Sequence, residues 1–176
     1  MGGIINSAEA LTAWFNPTIN SYKRINAPVT HSGATWSPNT VTYSDNNRTH
    51  MIRVPGSGRF ELRLMDGSAN PYLLQASVLA AGLDGLKNKI DPGKPLNCNM
   101  YEDYKKYPNL PKLPNELDQS LEELKNNKDM NVAFGKDVIS SYIKLRSSEL
   151  KEFKQKETFD KTKAITRWER DNTLDC

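Results

Sequence analysis

The chain has 176 residues, with 24 Lys+Arg against 21 Asp+Glu for a net charge of +3. That near-balance, without a basic block, argues against a nucleic-acid-binding protein, and no apolar run approaches the roughly 20 residues of a membrane span. Two cysteines, Cys98 and Cys176, and two histidines, His31 and His50, without paired metal-ligand spacing, argue against a disulfide scaffold or a zinc site; the expectation is a reduced, cytoplasmic chain.

In chain order, Ile4, Ile5, Ala8, Leu11 and Trp14 recur at helical spacing from the first residues, with no capping residue ahead of them. A helix starting this way suggests a chain that begins inside an element. Residues 16–44 are rich in Pro, Thr, Asn and Ser without a period, which predicts a long loop with short extended pieces. Residues 49–54 and 59–64 predict two strands about a Pro55-Gly56-Ser57-Gly58 turn, with Phe60, Leu62 and Leu64 on one face and Arg59, Glu61 and Arg63 on the other. Asn70 before Pro71 is a helix start. The helix it opens, running to Ile90, is apolar enough to be expected buried on Phe60, Leu62 and Leu64. Asp91-Pro92-Gly93 stops it, and residues 94–114 form a proline-rich connection. Leu117, Leu121 and Leu124 mark a short amphipathic helix. Val138, Tyr142, Leu145 and Glu149 mark a longer one towards Phe153, and residues 163–170 a last one around Trp168.

The strand pair concentrates the chemistry. With a turn of four or five residues, Arg53 faces Arg59, and Cβ atoms of such pairs stand about 5 Å apart. Two unit charges there repel by roughly 3 kcal/mol at an effective dielectric near 20, before solvent screening. A covered face would keep that repulsion, and an open one would lose most of it. Arg48, Arg53, Arg59 and Arg63 around the single acid Glu61 form a group that attracts anions, because guanidinium forks bind phosphate and carboxylate at two points. A carboxylate held between arginines stays ionised, which suits a hard divalent metal beside phosphate oxygens. The alternative is a solvated sheet face with one surface ion pair.

Five separated motifs then stand in a familiar order. They are Asn16-Pro17-Thr18-Ile19-Asn20-Ser21-Tyr22-Lys23-Arg24; Asn47-Arg48-Thr49 with Ile52-Arg53-Val54-Pro55; Arg59-Phe60-Glu61-Leu62-Arg63; Ala69-Asn70-Pro71-Tyr72-Leu73; and Ala80-Ala81-Gly82-Leu83-Asp84-Gly85 through Asn88-Lys89 and Asp91-Pro92-Gly93. Together they resemble glutamine synthetase, most of all its type III branch, strongly to about residue 93 and more loosely to Cys176. The resemblance implies an α+β fold, the C-terminal part of that family's catalytic domain. An antiparallel hairpin would be packed by several helices, with the active-site sheet and a buried helix in residues 1–93 and C-terminal helices in 94–176. The family's N-terminal domain and the first half of its catalytic domain would lie upstream of residue 1.

The resemblance also implies an ATP-dependent glutamate–ammonia ligase, in which glutamate is phosphorylated on its γ-carboxylate and ammonia attacks the γ-glutamyl phosphate. Position by position, Arg24 and Arg63 would hold the glutamate carboxylates. Arg48 and Arg53 would bind the phosphates of ATP and the transferring phosphoryl group, with Arg59 beside them. Glu61 would be a ligand of Mg²⁺ or Mn²⁺. Most metal ligands of the family lie upstream, so residues 1–176 alone are expected to be inactive. Partners implied are glutamate, ATP, ammonia or a small amine, and further copies of the chain in a double-ring dodecamer. Where many members carry a glutamate that helps deprotonate ammonium, this chain has Asn26, which accepts no proton. Methylamine is therefore an alternative nitrogen donor, and a plain turn role for Asn26 an alternative to both. A reading of another class is a non-catalytic remnant or interaction module.

Overall fold

The computed structural model describes residues 1–27, 37–158 and 165–173. Helix α1 (Gly2–Asn6) and helix α2 (Ala8–Phe15) are separated at Ser7, so the first helical pattern is two short helices. All of α2 except Glu9 is buried, as its apolar sequence requires. Helix α3 (Ile19–Ile25) occupies ground expected to be loop. It is started by a capping box in which Thr18 accepts from Ser21 N while the Ser21 hydroxyl accepts from Thr18 N.

The sheet has the order β1 (Tyr43–Ser44), β2 (Ile52–Gly56), β3 (Arg59–Leu62); β1 runs parallel to β2 and β3 antiparallel. The expected hairpin is present with a different register. The turn is tighter, and Arg53 pairs with Glu61 while Gly56 pairs with Arg59. Two residues of β2, Val54 and Pro55, oppose Phe60 alone, a bulge placed where proline has no N–H to give to the ladder. The expected Arg53–Arg59 repulsion is thereby replaced by an ion pair.

Helix α4 (Pro71–Lys87) starts as predicted, Asn70 Oδ1 accepting from the Tyr72 and Leu73 N–H groups. It is not a buried helix, and it does not lie on Phe60, which is itself exposed. One edge packs against α1, α2 and helix α7 (Lys128–Phe134). Among its residues only Ser77 and Ala81 are buried, while Tyr72, Leu79, Leu83 and Leu86 are 64–82% exposed. The contact with α1 is backbone on backbone. A Cβ on Gly3 would stand 1.9 Å from the Ala81 carbonyl oxygen, and one on Gly85 would stand 2.6 Å from Gly3 N.

Residues 94–114 hold a short helix α5 (Met100–Asp103) within the predicted connection. Helix α6 (Leu117–Asn126) buries Leu117, Leu121 and Leu124 as their spacing predicts. Helix α8 (Lys136–Lys156) is present, but its buried face is Ile139, Tyr142 and Phe153, with Val138 and Leu145 exposed. Helix α9 (Arg167–Thr173) carries Trp168; residues 163 and 164 of the predicted last helix lie outside the described residues. The core is aromatic at its centre. Trp14 stacks on Phe134 at 5.2 Å and tilts against Tyr142 at 4.2 Å, and the Tyr142 hydroxyl donates to the Ala13 carbonyl. The fold is α+β, as the sequence implied.

Two outcomes follow for denaturant melts. Gly3→Ala should cost about 3 kcal/mol, the upper range for forcing atoms into a packed seam, whereas Gly67→Ala, with open space around it, should stay within about 0.5 kcal/mol. Leu83→Gln, on the exposed stripe of α4, should likewise leave stability within about 0.5 kcal/mol while reducing self-association measured by sedimentation.

Candidate active site

Arg53 stands on β2 opposite Glu61 on β3. Its Nη1 donates to Glu61 Oε2 at 2.7 Å, its Nε donates to Asn46 Oδ1 at 2.8 Å, and its Nη2 donates to the same Asn46 oxygen. The other Glu61 oxygen, Oε1, lies 3.3 Å from Arg63 Nε, and Arg63 Nη1 donates to the Arg48 carbonyl. Strand period explains the arrangement: Glu61 and Arg63 share a face two residues apart, and the register brings Arg53 across to them. The two guanidiniums are lodged in the protein, 16% and 13% exposed, with the carboxylate between them 45% exposed.

The Arg53 bond holds the Glu61 carboxyl below its ordinary value, helped by the fields of Arg53, Arg63 and Arg48 and opposed by desolvation. Arg48, in the turn ahead of β2, and Arg59, at the hairpin tip, are exposed and have no ion-pair partner among the described residues. The face thus has a centre in which two guanidiniums share one carboxylate, only partly neutralised, and two further guanidiniums open to an added anion. Asn46, Arg48, Arg53, Asn99 and Tyr101 line an open concavity beside it. Burial pushes the Tyr101 phenol up, and the neighbouring Arg63 guanidinium pulls it down.

Arg24 comes from α3. Its Nη2 donates to Asn16 Oδ1 at 2.8 Å and to the carbonyl of Leu64, the residue after Arg63. Burial lowers its pKa, Asp66 acts in the opposite direction, and the nearby Arg63 charge lowers it further. Its Nε is buried without a hydrogen-bond partner. The structure therefore joins Arg48, Arg53, Glu61 and Arg63 in one cluster, with Arg24 at its side and Arg59 set apart at the tip. Asn46 and Tyr101 are additions. Asn46 lies in a polar turn run, and no spacing signal announces that its amide oxygen serves Arg53.

Asn26 caps the C-terminus of α3, its Nδ2 donating to the carbonyls of Tyr22 and Asn115, both at 2.7 Å. That geometry favours the turn role over one toward an amine. Among the described residues no group of three His, Cys, Asp or Glu side chains comes together as metal donors. Glu61, with both oxygens engaged by arginines, offers a divalent cation one ligand and no centre of its own.

The carboxyl shift has a signed consequence. Glu61 is lowered in the fold, so its contribution is present above the ordinary value of 4.5 and is lost as pH falls through the lower folded value. Carbon-13 titration should find the Glu61 midpoint below 4.5, and Arg53→Met should move it upward. An unmoved midpoint would mean that the ion pair does not set it.

Residues 1–171 match the family described as glutamine synthetase, catalytic domain. The protein named glutamine synthetase from Rhizobium meliloti (strain 1021) is 50% identical over 175 residues, which are 99% of this chain and 38% of that protein. The glutamate–methylamine ligase of Methyloversatilis universalis is 42% identical over 155 residues, 86% of this chain and 34% of that protein. A solved GmaS/ADP complex superposes with a TM-score of 0.82 at 47% identity, covering 99% of this chain and 38% of that one. The chain thus spans little more than a third of the length of these relatives. With the arginine face and the α+β fold that carries it, these matches establish that the chain belongs to the glutamine synthetase catalytic-domain family.

Proposed function

We propose that this chain supplies the glutamate- and phosphate-binding face of an ATP-dependent glutamate ligase working through γ-glutamyl phosphate. The observation that carries the reading is the Arg53–Glu61–Arg63 bridge with Arg48 open beside it. Positive groups fixed before reaction stabilise charge spread over a transferring phosphoryl without having to reorganise. Arg53, oriented by Asn46, and Arg48 bind the phosphates and the phosphoryl in transit, and Arg59 approaches from the tip. Arg63 and Arg24 hold the carboxylates of glutamate. The neutral amine then attacks the acyl phosphate, its nitrogen bonding to the carbonyl carbon of the former γ-carboxylate as phosphate leaves and a proton is lost. Glu61 would be one ligand of Mg²⁺ or Mn²⁺, and the remaining ligands would have to come from the part of the relatives' length that this chain does not match.

The product is glutamine if ammonia attacks. The methylamine reading rests on the relative named glutamate–methylamine ligase and on the likeness to GmaS. A cytoplasmic homo-oligomer with sites shared between subunits accompanies either reading. No helix among the described residues is long and apolar enough to cross a membrane.

The test joins this chain to the unmatched upstream part of the Rhizobium meliloti relative and follows phosphate release with ATP, glutamate, Mg²⁺ and either amine. Residues 1–176 alone should not turn over, and the joined protein should. In it, Arg53→Ala should lower kcat about a hundredfold, the roughly 3 kcal/mol of one charge-assisted contact to the transferring group. Arg63→Ala should chiefly raise the KM for glutamate. The amine giving the higher kcat/KM names the donor. Turnover in the joined protein unaffected by Arg53→Ala would remove the phosphoryl role.

A further inference from the structure

The side chain next to Arg24 is held by a group the proposed chemistry does not use. Lys23 Nζ lies 2.5 Å from Glu169 Oε2, with the two side chains 9% and 0% exposed. Glu169 Oε2 also accepts from Thr166 N at 2.6 Å, and the Thr166 hydroxyl accepts from Glu169 N at 3.2 Å. The carboxylate is therefore set by the first turn of α9. That helix is itself seated by Trp168, whose ring meets Phe153 of α8 edge-on at 5.4 Å.

Helix α3 has seven residues, too few to hold its own course, so its rotation and tilt are set by what its side chains reach. Arg24 follows Lys23 directly. Its guanidinium must land on two acceptors, Asn16 Oδ1 and the Leu64 carbonyl, while its Nε has none. A small turn of α3 about its axis moves Arg24 off both acceptors. The same turn is resisted by the Lys23–Glu169 pair, because separating it would leave a fully buried carboxylate without its cation.

We propose that Glu169 is a positioning residue for Arg24: α9, through the buried Lys23–Glu169 pair, fixes the rotation of α3 that places the Arg24 guanidinium beside the arginine face. The importance of that placement for glutamate binding rests on the reading above. The placement itself is measurable without substrate, so the two can fail separately.

The experiment uses the whole 176-residue chain labelled with nitrogen-15, with the Arg24 Nε–Hε resonance assigned by its loss in Arg24→Lys. Glu169→Gln keeps the shape of the side chain and removes its charge. It should shift that resonance and speed its proton exchange with water about tenfold, the mark of a buried group that opens to water more often. Lys23→Met, which cuts the pair from the other end, should do the same and serves if Glu169→Gln fails to fold. Ile139→Val, a core change on α8, should lower the melting temperature without moving the Arg24 resonance. A resonance unmoved in a folded Glu169→Gln or Lys23→Met chain would overturn the proposal. So would an equal shift in Ile139→Val, because Arg24 would then report only general loosening.

Discussion

Three consecutive side chains of α3 hold the parts of this molecule in relation to one another. Successive residues of a helix point about 100° apart, and here each of the three directions meets a different element. The Tyr22 hydroxyl and the Ser120 hydroxyl bond to each other, tying α3 to α6; Lys23 reaches Glu169 on α9; Arg24 reaches the Leu64 carbonyl as the chain leaves β3. The first two are bonds between buried polar groups and the third is partly buried, and away from water an unmade bond costs more than a made one gains. The helix is therefore not adjustable in one direction alone, and the hairpin, the helical layer and the C-terminal helix share one frame of reference.

Much of this was legible where the sequence carries a strong local signal. Asn70-Pro71 started a helix where it said it would, and the alternation from Arg59 to Leu64 marked a strand. The leucines of α6 fell on one buried face. What stayed hidden depended on the rest of the chain. Helix α3 is capped by Thr18, with Ser21 instead of an acid closing the capping box, and reads as a polar loop. The hairpin register turned on a bulge at Val54 and Pro55 that the same letters would equally permit as a longer turn. The apolar composition of α4 reported how much of the helix is greasy and was silent on which side has neighbours.

The candidate site divides in the same way. The arginines and Glu61 were visible as a charge pattern on one strand face, but their pairing was not, because register decides it. Had Arg53 faced Arg59, the face would have been under internal repulsion and open to any anion. With Arg53 facing Glu61, the nearest opposite charge is already supplied, and an incoming anion competes for guanidinium hydrogens with a carboxylate already in place. An anion arriving at this face would have to offer Arg53 more than Glu61 already gives.

The seam between α1 and α4 carries a different kind of constraint, one of heredity. Gly2, Gly3 and Gly85 are positions where a first side-chain carbon would meet a neighbouring backbone atom at 2.0, 1.9 and 2.6 Å. Every missense change of a glycine codon adds that carbon, so these sites have no mild alternatives to drift through. The α1–α4 crossing can change only by a concerted move of both helices, and α2 and its aromatic core, reached from α1 through Ser7, would have to move with them.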